Sequence, residues 1–501
     1  MLFNSLTYAI FLPIVFAIYW LLRKNLKWQN IFLLLASYVF YAYWDWRFLG
    51  LLFGMSFLSR ISGRKIANTL AGGGRCQFVR KTLLVSIIVI DLMVLGTFKY
   101  YNFFVGSFAD LFGLQNSIHS LKIVLPLGIS FFTFQAIAYV VDVYKRKIEP
   151  TNLVDCLLYI GFFPKLLAGP IERPTNLIPQ IQKPRVFEYD LAVDGCRQML
   201  WGLFKKVVIA DNCALYVNQV YGDYANQSGS TLLLAAILYT IQIYGDFSGY
   251  SDMAIGSAKL LGFRFRDNFL FPYFSRNMNE FWRRWHISLN TWFVDYVYIP
   301  LGGSRPKVDE SQESRAKRKI KLITCRNIMI VFLLSGLWHG ADWLFVAWGA
   351  YHGLLLVLLI LLNRNTKYEH VVAYDRGLPS FKEWGQMLLV FALATIGWMM
   401  FRADNMTQFI NYTARMCSTD LFSMPKLQGN TILFMNIALM FVIEWFMRRQ
   451  KHGFDFSYQP RSNKPCNKLL YTAQRYTLYT LIVILILLFG GHTENFIYMY
   501  F

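Results

Sequence analysis

Three histidines stand among long apolar runs, and an ionisable group in such surroundings is a functional candidate by default. His339 lies in IVFLLSGLWHGADWLFVAWG, an apolar hairpin broken at Gly336 and Gly340. His286 lies in NEFWRRWHISLNTWFVDYVYIPLGG, an amphipathic stretch dense in Trp and Arg. His352 follows on the returning arm of the hairpin, in AWGAYHGLLL. A neutral imidazole accepts a proton near pH 7, so His339 suits general-base work. Gly336 and Gly340 would let a substrate approach the backbone closely. The competing reading of His339 is a histidine hydrogen-bonded between helices. Trp285, Asn290 and Trp338 flank these histidines in sequence and are candidates for substrate contact. Arg283 and Arg284 suit the phosphates of a substrate; the simpler reading anchors them to inner-leaflet phosphates. His119, His370, His452 and His492 fall in polar loops or the tail and read as solvated.

Soluble-enzyme signatures give little. The chain has no G-x-S-x-G elbow, no G-x-x-x-x-G-K-[ST] loop and no H-E-x-x-H pair. Gly245-Asp246-Phe247-Ser248-Gly249 has the wrong spacing for the elbow, so a serine triad is unsupported. HVVAYD, from His370 to Asp375, matches the H-x-x-x-x-D pattern of soluble-type glycerolipid acyltransferases, but as a chance match in a polar loop. The seven cysteines are scattered, with no C-x-x-C pair and no histidine at zinc spacing. They predict neither a disulfide framework nor a metal site.

The elements that must position these residues follow from composition. Hydrophobic residues make up 55% of the 501 positions, and charged residues only 16%. That excludes several soluble domains, disorder and coiled coil, and predicts one all-α polytopic membrane domain over 1–501. The formal net charge of +21 would suit nucleic acid in a soluble protein. Here basic loops facing an anionic inner leaflet account for it, and no nucleic-acid partner is expected. Loops 60–81, 304–326 and 448–468 are basic and predicted inside, whereas 104–120 and 221–230 lack Lys and Arg and are predicted outside. Alternation gives about 11–12 transmembrane helices with both termini outside. No basic region precedes the first apolar run and no small-residue cleavage site follows it, so no cleaved signal peptide is expected. Segments 152–170, 250–275 and 277–300 are apolar but broken by Pro, Gly, Arg and Asp, and are predicted as re-entrant or interfacial helices lining a cavity. No internal repeat is visible, which weakens a transporter reading.

Five stretches carry a resemblance: FFPKLLAGPIERP (162–174), IQIYGDFSGYSDMAIGSAKLLGF (241–263), FWRRWHISLNTWFVDYVYIPLGG (281–303), SGLWHGADWLFVAWGAYHG (335–353) and FIYMYF (496–501). With these stretches the chain resembles the membrane-bound O-acyltransferases, and within them the bacterial alginate O-acetyltransferase membrane-protein branch. The resemblance implies a ring of helices around a narrow waist, with a central tunnel joining the two sides of a bacterial cytoplasmic (inner) membrane. By it, the invariant family histidine falls on His339 and the second family histidine on His286, while His352 matches a histidine common in the branch. His339 would act as the base, and His286 would orient the donor or stabilise the oxyanion. The implied donor is acetyl-CoA, as a substrate with no bound cofactor. The implied acceptor is a polysaccharide or peptidoglycan hydroxyl, or a serine on an SGNH-like extracytoplasmic acetyltransferase partner. Two rivals remain: a transporter or flippase of lipid-linked sugar, and the same family acting on a lipid acceptor.

Overall fold

Apolar segments satisfy their backbone hydrogen bonds within lipid only by coiling on themselves, and every regular element described in the computed structural model is helical. The structure describes residues 1–69, 74–113, 121, 123–303, 313–427, 431–456, 465–491, 494 and 496. His119, His492, positions 304–312 of the basic loop and all but Phe496 of FIYMYF lie outside the described residues. The chain folds into two compact units.

The first unit comprises Met1–Cys196 and Ala254–Arg266. It carries α1 (Leu6–Leu21), α2 (Leu26–Asp45), α3 (Leu49–Asn68), α4 (Gly74–Leu95), α5 (Tyr101–Phe112) and α6 (Ile129–Tyr144). The stretch 152–170 forms two short helices, α7 (Leu153–Gly161) and α8 (Phe163–Leu166), followed by α9 (Pro174–Gln182). Pro164 cannot donate to a continuing α7, so the helix stops and restarts with the proline in its first turn. The freed N–H of Phe163 donates to the Ser37 hydroxyl at 3.1 Å. Everything from Asp155 to Pro174 is buried. The charges enclosed there have partners: Lys165 donates to Gln135, and Glu172 accepts from the Arg266 N–H at 2.5 Å.

The second unit comprises Arg197–Met253 and Asp267–Phe501. α10 (Tyr189–Phe204) runs through a π-helical turn, Lys205–Ala210, into α11 (Asp211–Gly222). α12 (Gly229–Leu260) is one helix of 32 residues, so 250–260 is not the start of a separate broken segment as its polar sequence suggested. The reason is ionic pairing. Lys205 meets Asp252 at 2.7 Å, and Lys206 meets Asp211 at 2.7 Å and Asp246 at 2.8 Å. Ser248 and Gln198 complete the set, to Lys205 at 2.8 Å and Asp252 at 2.7 Å. The helix therefore continues through its acids instead of breaking at them.

Beyond it come α13 (Met278–Arg284), α14 (Ile287–Phe293), α15 (Glu313–His339), α16 (Trp343–Leu361), α17 (Phe381–Arg402), α18 (Met406–Met416), α19 (Thr431–Phe446) and α20 (Pro465–Phe489). Among the described residues, α12, α15 from Lys317, α16, α17 and α20 from Thr472 are long and apolar enough to cross a membrane. α1, α6 and α19 are shorter apolar helices. The apolar stretch of α12 is 78% buried in protein and that of α20 only 6%. α12 is thus core, whereas the apolar surface of α20 from Thr472 is left largely uncovered by the described residues. The chain is an all-α polytopic membrane protein. His452 departs from the sequence reading: it is buried, because the turn after α19 folds back on Trp201, where the Phe454 ring lies 5.1 Å away. Its Nδ1 accepts the Phe454 N–H at 3.3 Å.

Candidate active site

The second unit brings His286 and His339 to one cavity. His286 comes from the corner between two short helices. α13 begins at Asn277, whose side chain accepts the Glu280 N–H at 2.8 Å. It stops at Trp285, and His286 takes a left-handed backbone, φ 43° and ψ 52°. A non-glycine residue held there costs free energy and persists only where its surroundings over-determine it. The surroundings do so here. Arg284 binds Glu280 at 2.8 Å and the Leu270 carbonyl at 3.2 Å. The Asn290 amide donates to the Trp282 carbonyl at 2.6 Å, tying α14 back to α13. The Ile287 N–H donates to the Asn268 carbonyl at 3.0 Å.

Asn268 also fixes the imidazole. Its Oδ1 accepts from the Ser288 N–H at 3.3 Å and from the Ser288 hydroxyl at 2.9 Å, and it faces His286 Nδ1 at 3.1 Å. A backbone N–H can only donate, so the atom facing it is the amide oxygen. His286 Nδ1 therefore carries a proton, and Nε2 is the basic nitrogen when the ring is neutral. The other end of the amide donates to Ser251 at 2.9 Å. The Phe247 ring closes the remaining side edge-on at 4.6 Å.

His339 is the last residue of α15, where the carbonyl end of the helix favours positive charge. Its ring packs edge-on against Trp348 and Phe401, with centroids 5.0 and 5.1 Å away. α16 returns tightly along α15 after the turn at Gly340. A Cβ on Gly336 would overlap the Phe345 carbonyl, and one on Gly340 the Phe345 ring. These glycines thus admit the neighbouring helix, not a substrate as the sequence suggested.

The cavity is lined by Trp285, His286 and Asn290 on one side and by Phe332, Ser335 and His339 on the other. Its volume is about 30 Å³, room for water between the two imidazoles. Of the residues singled out in the sequence, His339, His286, Trp285 and Asn290 all line it. Trp338 is buried between the histidines, with its ring 6.0 Å from His286 and 5.0 Å from His339. Arg284 is engaged with Glu280, and Arg283 is exposed. His370 and Asp375 are both exposed, on a loop that Arg448 clamps through the Val372 and Ala373 carbonyls at 3.1 and 2.9 Å. Sequence reasoning missed Asn268, Ser335 and Trp348.

A model of the membrane-bound O-acyltransferase family matches residues 75–381, a span holding both histidines. The chain belongs to the membrane-bound O-acyltransferase family. It is 38% identical over 411 residues to a Pseudomonas aeruginosa protein named "Probable alginate O-acetylase AlgI", covering 81% of this chain and 73% of that protein. It is 32% identical over 467 residues to the "Peptidoglycan O-acetyltransferase" of Helicobacter pylori, covering 87% and 83%. The "Teichoic acid D-alanyltransferase" of Bacillus subtilis is 28% identical over 256 residues, covering 48% and 61%. This membrane-bound O-acyltransferase is an acyl-transfer enzyme.

Proposed function

We propose that the enzyme moves an acetyl group from acetyl-CoA on the cytoplasmic side to a hydroxyl of an extracytoplasmic polysaccharide or peptidoglycan. The observation that carries this reading is the meeting of His286 and His339, from separate elements, at one buried cavity. The names of the relatives favour acetyl and a cell-envelope polymer. His339 takes the proton of the accepting hydroxyl as its oxygen attacks the thioester carbonyl. The tetrahedral intermediate then expels the thiolate, which is protonated to the free thiol. His286, protonated on Nδ1, presents an acceptor at Nε2. That favours an orienting role over oxyanion contact, since an oxyanion needs a donor. Arg283, exposed beside the corner, suits a donor phosphate. The immediate acceptor is a serine of an SGNH-like extracytoplasmic partner, which passes the acetyl to the polymer. In this arrangement the chain spans the bacterial inner membrane about 11–12 times with both termini outside.

The test is His339→Ala. Losing a positioned general base costs about 10²–10⁴ in rate. We expect acetylated polymer to disappear while folded membrane protein and polymer export persist. Loss of export with retained acetylation would instead establish the flippase reading, and full acetylation would refute His339 as the base.

A further inference from the structure

His352 takes no part in the chemistry above, yet it sits at the centre of the rings that hold that chemistry. It is fully buried on α16, and neither ring nitrogen has a hydrogen-bond partner among the described residues. Its neighbours are aromatic. The centroids of Trp282, Trp348 and Tyr351 all lie 4.9 Å away, with interplanar angles of 83°, 67° and 71°. Trp398 lies at 6.3 Å. On a further side α17 approaches at Gly397, where a Cβ would overlap His352 Nε2. Burying an imidazole without a hydrogen bond costs free energy that an aliphatic side chain would not. What the imidazole brings is a flat ring, thin enough to lie against Gly397, with edges that pack on indole faces.

Three of these neighbours reach the active site on their other side. Trp348 stands between two imidazoles, 4.9 Å from His352 and 5.0 Å from His339. Trp398 packs against Trp285 at 4.6 Å. Trp282 itself lines the cavity. Close-packed rings do not move independently, so removing the central ring frees all three. We propose that His352 is a positioning residue: it fixes Trp348, Trp398 and Trp282, and through them the orientation of His339 and Trp285. This rests on His339 as the base.

The test uses membrane vesicles containing the full-length protein and its native acceptors, supplied with radiolabelled acetyl-CoA, with incorporation measured per folded molecule. His352→Ala empties the centre of the cluster. Gly397→Ala keeps the imidazole but presses on it from α17. In both we expect turnover to fall about 10–100-fold, as small misplacements of reacting groups do, with KM for acetyl-CoA unchanged and the pH profile displaced. Wild-type turnover per folded molecule in His352→Ala overturns the proposal. So does a wild-type pH profile with a loss that only follows the amount of folded protein. If His352→Ala yields no folded protein, Gly397→Ala is judged by the same readings; absence of folded protein in both assigns His352 to structure alone and overturns the proposal. His339→Ala is run alongside, because full turnover there removes the base assignment whatever the His352 variants do.

Discussion

Asn268 decides which nitrogen of His286 is basic, and its removal should be felt in chemistry before it is felt in folding. Asn268→Ala leaves the Ser288 N–H, the Ser288 hydroxyl and His286 Nδ1 without their common acceptor. An unsatisfied buried donor costs about 1–3 kcal/mol, and the imidazole is free to turn. We expect acetyl transfer per folded molecule to drop by about tenfold or more, in keeping with a lost orienting contact. Asn268→Asp should restore the acceptor but stabilise the imidazolium, so the acidic limb of the pH–rate profile moves to higher pH if neutral His286 is required. His370→Ala and Asp375→Ala serve as controls, because both side chains are exposed, and transfer should stay near wild type. An Asn268→Ala enzyme with unchanged rate would show that the tautomer is irrelevant. His339 was conspicuous in the sequence as an ionisable side chain in an apolar run, whereas His286 lies in an amphipathic stretch rich in Trp and Arg and was singled out by the family resemblance. Asn268 was not, since an uncharged amide in an irregular loop carries no periodicity, and its value lies in three donors brought together by folding.

At the scale of elements, the α15–α16 hairpin depends on backbone approach at Gly336. Gly336→Val places a branched Cβ where the Phe345 carbonyl lies, an overpacking that should cost about 1–3 kcal/mol. Thermal unfolding of the purified protein should shift downward, and activity should fall with the folded fraction. An unchanged melting curve would mean that the helices have room there. This hairpin could be read from sequence because two apolar runs flank a Gly-rich break and a basic run precedes the first. The full length of α12 could not. Asp246 and Asp252 look like the end of a span until Lys206 and Lys205, 40 and 47 residues earlier in sequence, are seen beside them. The break at Phe162 was legible because proline constrains the backbone locally, whereas ion pairing between distant segments leaves no local trace.

For the whole molecule, the sequence predicts sidedness from Lys and Arg alone. Cysteines introduced one at a time at 221–230 should react with an impermeant maleimide on intact cells, while those at 317–321 should react only after permeabilisation. Equal external labelling at both places would reverse or abolish the proposed orientation. The ionic cluster described above also bears on how the chain enters the bilayer. Two acids on α12, taken alone at the centre of the membrane, weigh about 5–7 kcal/mol against insertion, and the two lysines after α10 face a similar penalty. Neither segment is a comfortable lodger in lipid by itself. Synthesis delivers the lysines first; Asp211, five residues after Lys206, can pair with that lysine at once, whereas Lys205 has no carboxylate until α12 brings Asp252 beside it. Biogenesis of this protein is therefore a matter of timing: a change that delays α12 or strands one of its acids would send the chain to membrane quality control before it ever met a substrate.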